Sequence, residues 1–274
     1  MYKTHNCDFV LRLILFSIIS VFTAEFVYSQ SWELAHQADT KINLRDVFFL
    51  TVNQGWVVGD SGTILTTSNG GANWLQQVSG TVNQLYGVTF VSSTQGWVVG
   101  DSGTILGTNE GGLTWIQQVS GTSSRLYGIT FISFTQGWMV GDNGTILVTS
   151  DGGTNWKSQD AGLLNRLYHI MFVSKTHGWA VGLGGIILTT VDAGANWLPQ
   201  ISGTSNTLQA MVYDDDSTLW VVGSSGRIYK YLNRSFPSPI ASGISVTVVE
   251  DSINNLVTLP VTDVNNYNLN YTII

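Results

Sequence analysis

Apolar residues recur along this chain in short alternating runs separated by glycine-rich turns, and the pattern repeats every 41 residues. Leu126 to Ile132 alternates, with Leu126, Gly128, Thr130 and Ile132 on one face and Tyr127, Ile129 and Phe131 on the other. Such a period of two predicts a strand. A turn, Ser133 to Gly137, leads to a second strand, Trp138 to Gly141. Asp142-Asn143-Gly144 predicts a tight turn, because Asn and Gly tolerate positive φ. Thr145 to Thr149 reads as the third strand, Ser150 to Gly153 as a turn, and Asn155 to Ser158 as the start of the fourth. Four short antiparallel strands per repeat make one blade of a β-propeller.

The tryptophans carry the same period. Trp56, Trp97, Trp138, Trp179 and Trp220 lie in Gly-Trp-x-Val-Gly or its variant Leu-Trp-Val-Val-Gly, and Trp74, Trp115, Trp156 and Trp197 end the turn after the third strand. Trp32 stands 42 residues before Trp74. The first strands of the blades begin at Leu44, Leu85, Leu126, Leu167 and Leu208, and the last repeat has only three strands, ending near Tyr231. The expected fold is therefore all-β: a five-bladed propeller over 30–232, closed by an N-terminal strand, Ser31 to His36, which completes the fifth sheet. The tryptophans are expected to fill the spaces between blades, where burying one aromatic contributes roughly 1.5–3 kcal/mol. Exposed tryptophans lining a sugar cleft are the alternative.

Composition agrees with many short strands: 43% hydrophobic residues, 11% charged and 30 glycines in 274 residues. The net charge of −7 and the absence of a basic stripe leave a nucleic-acid partner without electrostatic support. Cys7 is the single cysteine, so no internal disulfide can staple the fold. It lies in a segment laid out as a secretory signal peptide over 1–29: Lys3 and Arg12 precede the apolar run Leu13 to Phe22, with a cut expected before Gln30. An anchored membrane helix is the alternative, although the run is short for a span. Cleavage removes two residues of each sign and leaves the net charge at −7. The expected product is a secreted, periplasmic or cell-surface protein with no span after cleavage, and a monomeric propeller.

At the other end, 233–240 reads as a linker, with two prolines in Phe-Pro-Ser-Pro. Residues 241–274 return to alternation in Ile244 to Asp251, Leu256 to Asp263 and Leu269 to Ile273. These resemble the opening of a bacterial cadherin-like or immunoglobulin-like module, a partial β-sandwich with Glu250, Asp251 and Asp263 at positions that often face calcium in such modules. A short extension that adds strands to the propeller or to another subunit is the alternative.

The turn Thr149-Ser-Asp-Gly-Gly-Thr-Asn-Trp156 resembles the Asp-box of sialidases and sortilin-type receptors. Asp151 and Asp192 keep the acid, Asn69 and Glu110 replace it, and Trp74, Trp115, Trp156 and Trp197 close the four copies. The resemblance implies a structural turn, its carboxylate capping backbone N–H groups and its tryptophan packed beneath. The longer pattern, Leu-x-x-Val-x-Phe, Gly-Trp-x-Val-Gly, Gly-x-Ile-Leu-x-Thr and then the box, resembles the photosystem II stability and assembly factor family of propellers over Trp32 to Tyr231. That resemblance implies a scaffold that binds a membrane protein during assembly, a role tied to photosynthesis in the family.

Repeat-equivalent positions gather at one mouth of a propeller. Ahead of the first-strand leucine stand Asn43, Gln84, Arg125, Arg166 and Thr207, and after it Arg45, Tyr86, Tyr127, Tyr168 and Gln209. The facing hairpins carry Asp60, Asp101, Asp142, Leu183 and Ser224. Arginine and tyrosine are favoured in binding hot spots. This rim is the expected binding face for a protein, or for a glycan in a sialidase-like reading. A solvated face of arginine–aspartate pairs and buried rings is the plainer alternative. No enzyme is expected: Asp46 is the one acid inside a first strand, His169 holds the same repeat position alone, and a glycosidase needs two suitably spaced carboxylates. No cofactor and no metal site are expected. Asp214-Asp215-Asp216 reads as a solvated charged turn before it reads as a calcium site.

Overall fold

The structure, a computed structural model, describes residues 34, 42–214 and 218–232. The expected signal peptide, most of the Ser31 to His36 strand, Asp215, Asp216, the linker and the C-terminal module lie outside the described residues. Within that span the chain folds into antiparallel sheets in sequence order. The first holds β1 (Leu44–Phe49), β2 (Gly55–Gly59), β3 (Ile64–Thr67) and β4 (Leu75–Gln77). The second holds β5 (Leu85–Phe90), β6 (Gly96–Gly100), β7 (Ile105–Thr108) and β8 (Ile116–Gln117). The third holds β9 (Leu126–Phe131), β10 (Gly137–Gly141), β11 (Ile146–Thr149) and β12 (Lys157–Gln159). The fourth holds β13 (Leu167–Phe172), β14 (Gly178–Gly182), β15 (Ile187–Thr190) and β16 (Leu198–Gln200). The last has three described strands, β17 (Leu208–Tyr213), β18 (Thr218–Gly223) and β19 (Arg227–Leu232).

Each first strand packs against the first strand of the next sheet, β1 on β5, β5 on β9, β9 on β13 and β13 on β17. These strands therefore line the axis, and the sheets radiate from them as propeller blades. Close approach at the axis needs a small side chain. A Cβ on Gly87 or Gly128 would come within 2.8 Å of the carbonyl oxygen of Tyr127 or Tyr168 on the following blade.

The joints between blades are aromatic. Trp56 stacks on Phe90, Trp97 on Phe131 and Trp138 on Phe172, with ring centroids 3.5, 3.5 and 3.6 Å apart. All three tryptophans are buried. Trp115, Trp156 and Trp197 meet the edges of Phe90, Phe131 and Phe172 in their own blades. Trp56, Trp97 and Trp138 are thus inter-blade core.

The sequence-based alternation within the first strands is corrected at one point. In every repeat the pairing skips a residue after the leucine: Leu85 opposes Gly100 and Gly87 opposes Val99, so Tyr86 is a β-bulge. Arg45, Tyr127, Tyr168 and Gln209 are the equivalent extra residues. A bulge reverses the side-chain parity beyond it. Leu85 therefore shares a core with Val88 and Phe90, and Leu126 packs with Ile129 rather than with the face of Gly128.

The joint that a closed ring requires, between the first and last sheets, is not made by β1 and β17 among the described residues. β1 packs on β5 and β17 on β13. Of the expected closing strand only Leu34 is described, outside any strand and 77% exposed.

Candidate functional site

The bulge and the hairpin together build the rim. The hairpin after each second strand is tied back to the residue before the first-strand leucine. Asp60 N–H donates to the Asn43 carbonyl (2.9 Å), Asp101 to Gln84 (2.9 Å), Asp142 to Arg125 (2.9 Å), Leu183 to Arg166 (2.8 Å) and Ser224 to Thr207 (2.9 Å). In the expected turn, Asn143 and Gly144 take φ of 57° and 65°. The bulge swings the next side chain out of the sheet face and toward that hairpin. All nine residues assigned to the rim from the sequence are therefore brought together: Arg45, Arg125, Arg166, Tyr86, Tyr127, Tyr168, Asp60, Asp101 and Asp142.

They form a continuous ladder over four blades. Arg45 pairs with Asp60 at 2.9 Å, Arg125 with Asp101 at 3.0 Å, and Arg166 with Asp142. The last two pairs cross blade joints. The single Tyr86 O–H has Gln84 Oε1 (2.7 Å) and Asp101 (3.2 Å) as acceptors within reach, and Tyr127 donates to Asp142 (3.4 Å). Ring centroids are 5.0 Å apart for Tyr86–Tyr127 and 5.3 Å for Tyr127–Tyr168. Arg45 lies 5.7 Å from the Tyr86 ring centre, and Arg166 5.4 Å from that of Tyr127. Such contacts hold a guanidinium over an aromatic face at modest cost to its hydration.

The electrostatics follow from this packing. Burial, then the Asp101 carboxylate, push the Tyr86 phenol up to about 12, and burial also raises Tyr127. The Tyr168 and Asp142 oxygens hold the Arg166 proton above its usual range, and Tyr127 and Asp101 do the same for Arg125. Desolvation, the largest single effect at Asp60, is outweighed by the bonds from Asn43 and Arg45 and the Arg45 charge taken together, so its pKa falls. The carboxylates sit lower than the cations. Arg125 is 53% exposed and Asp101 22%. The outward surface is thus guanidinium and tyrosine edge, with the balancing acids beneath. On the fifth blade the rim turns neutral, with Thr207, Gln209 and Ser224.

The box turns are joints. Asp151 accepts from Thr149 Oγ1 (2.8 Å), Asn155 N–H (2.9 Å) and Asn155 Nδ2 (2.8 Å), and Asp192 repeats this with Thr190 and Asn196. The Asn155 bonds hold the Asp151 carboxyl at about 2. Asn69 accepts from Asn73 N–H in the same way, whereas Glu110 accepts from the Thr114 hydroxyl. The turn then receives the preceding blade. The Gly111 carbonyl accepts from Trp56 Nε1 (3.3 Å) and from Gln77 Nε2 (2.9 Å), while Trp115 Nε1 donates to Gln77 Oε1 (3.2 Å). Gln118 and Gln159 repeat this latch on the next two turns. Sequence reasoning missed these glutamines, although Gln77, Gln118 and Gln159 keep the 41-residue period.

Other candidates are absorbed by the fold. Asp46 accepts from the Val47 and Val88 N–H groups at 2.9 Å each, and burial raises its pKa. Burial drops His169 to about 4, with Nδ1 unpartnered. Asp214 accepts from Thr218 N–H and Trp220 Nε1.

Residues 117–201 match the family model described as photosynthesis system II assembly factor YCF48. No curated protein sequence matches the chain. Among solved structures, one of YCF48 bound to D1 peptide is similar with a TM-score of 0.60 and 24% identity, over 72% of this chain and 66% of that one. This chain therefore spans just under two thirds of that relative. The GH74 enzyme of Niastella koreensis (TM-score 0.54, 14% identity) and the GH74 xyloglucanase of Xanthomonas campestris (0.55, 11%) share the fold over 66% and 68% of this chain. The chain covers only 34% and 35% of them. The repeats over 117–201 thus resemble those of the photosystem II assembly factor family, and the propeller is similar in fold to that of the assembly factor.

Proposed function

We propose that the protein is an exported, non-catalytic propeller that binds an extended segment of another protein across its tyrosine–arginine rim. The observation that carries this reading is the Tyr86–Tyr127–Tyr168 ladder with arginines lying over its rings. Flat aromatic edges offer contact area at low conformational cost, and the cations above them suit a carboxylate on the bound segment. Arg125, the most exposed of the three, is the side chain best placed to take it. The similarity to YCF48, one of whose structures holds a D1 peptide, supports a protein partner over a small molecule. The apolar run Leu13 to Phe22 supports export.

A catalytic reading draws on the GH74 enzymes, which share the fold. Against it, each rim carboxylate is committed to an arginine, which suits neither the acid nor the base of glycoside hydrolysis. A glycan-binding rim remains the second reading, since tyrosine edges also suit sugar faces. The test is a 15-residue peptide array probed with the protein beside a glycan array. Peptide binding that weakens with salt, and falls tenfold or more in Arg125→Ala and Arg166→Ala, is expected. Peptide binding unchanged in both variants, or binding to glycans alone, refutes the protein-segment reading.

A further inference from the structure

Two faces of the propeller are left half-made, and each has what the other lacks. At every joint between described blades, the earlier blade offers a valine from its second strand and an isoleucine from its third. Val58, Val99, Val140 and Val181 are 0% exposed, as are Ile64, Ile105 and Ile146. On the last blade the equivalent Val222 and Ile228 are 42% and 70% exposed. The later blade offers a residue of its first strand and an aromatic two positions on, phenylalanine or, in the last blade, Tyr213. Val88 and Phe90 are each 4% exposed, whereas Val47 and Phe49 of the first blade are 60% and 43% exposed.

The aromatic pair shows the same split. Trp56, Trp97 and Trp138 each stack on the next blade's phenylalanine. Among the described residues Trp220 meets no phenylalanine of a further blade; its N–H is taken by Asp214 of its own blade, and Lys230 lies over its ring at 4.8 Å. Phe49 has the edge contact with Trp74 but, among the described residues, no stacked indole. Among the described residues no donor from another blade reaches the Gly70 carbonyl, which matches Gly111 and Gly152 in the box turn. Among the described residues β1 packs on β5 and β17 on β13, and the two end faces stay largely exposed.

We infer that the first-blade face (Val47, Phe49, Trp74) and the last-blade face (Trp220, Val222, Ile228) form a head-to-tail interface between two copies of this chain. A second copy brings the missing half of each joint, with side chains already matched in kind and spacing at the joints inside the propeller. Val58 packs with Val88 across the first joint. By the same register Val222 of one copy meets Val47 of the next, and Trp220 meets Phe49. Such an interface is heterologous, so it closes into a ring or continues as a short stack according to the angle between copies.

The test mixes two singly substituted proteins in a Cys7→Ser background, one carrying Val47→Cys and the other Val222→Cys, under a short bis-maleimide cross-linker. Both sites are exposed, so neither substitution disturbs a core. Covalent dimers are expected from the mixture and not from either protein alone. Sedimentation of the uncross-linked protein is expected to show association that Phe49→Ala weakens about tenfold or more. A doubly substituted chain that cross-links as a monomer would mean that the faces close on each other within one chain, and the inference falls. It falls equally if the mixture yields no dimer.

Discussion

Phe90 and Phe49 are the same residue one repeat apart, and the blade joint explains why their deletion should differ. Phe90 is 4% exposed, stacks on Trp56 at 3.5 Å and meets the edge of Trp115. Removing such a ring typically costs about 3–5 kcal/mol, cavity included. Phe49 is 43% exposed and, among the described residues, has the edge of Trp74 as its ring contact. With roughly half the burial and no stacked indole, Phe49→Ala should cost about 1–2 kcal/mol. The difference, roughly 1–4 kcal/mol and centred a little above 2, is the worth of one aromatic joint. Urea unfolding followed by tryptophan fluorescence measures it, at high dilution so that copies stay apart. With a slope of about 2 kcal/mol/M, Phe90→Ala should unfold about 1 M earlier than Phe49→Ala. Equal midpoints would refute the claim that stacking across blades holds the propeller together.

Other outcomes follow from the same geometry. Gly144→Ala should destabilise far more than Gly162→Ala in the same unfolding assay. Both have positive φ, worth about 1–2 kcal/mol to a side chain, but only at Gly144 would a Cβ meet a carbonyl, Leu163 O at 2.0 Å. Gln118→Ala should cost about 1–3 kcal/mol, because it leaves the Trp156 Nε1 donor unmatched and takes from the Gly152 carbonyl one of its two donors; thermal unfolding reads it. Asp151 is held near 2 when folded, so its ionised form stabilises above the ordinary carboxylate range, and that contribution is lost as pH falls from about 4 through 2. Asp151→Asn, which imitates the natural Asn69 turn, should flatten that part of the stability–pH profile relative to wild type. Tyr86, raised to about 12, should ionise well after an ordinary phenol in an ultraviolet titration, and earlier in Asp101→Asn.

The blades were legible because a 41-residue period imposes the same strand, turn and tryptophan on every copy. The rim was legible for the same reason: repeat-equivalent residues must fall on the same ring. The bulge was not. A strict alternation of Leu126, Gly128 and Thr130 fits the sequence as well as the observed break after Leu126, and only pairing with β10 distinguishes them. The glutamine latch was hidden because Gln77 reads as a surface residue on a short outer strand, and its partners, Trp115 and the Gly111 carbonyl, lie in the next repeat. The half-made end faces were also hidden. Val47 and Val88 are identical in local pattern, and exposure separates them only once their neighbours are known.

The rim as a binding face is tested most directly by amide hydrogen exchange of the protein with and without the strongest peptide from the array. Slowed exchange concentrated at residues 43–46, 84–87, 125–128 and 166–169 and at the hairpins of Asp60, Asp101 and Asp142 is the predicted result. Protection confined to the box turns around Asp151 and Asp192, with the rim unchanged, would contradict it.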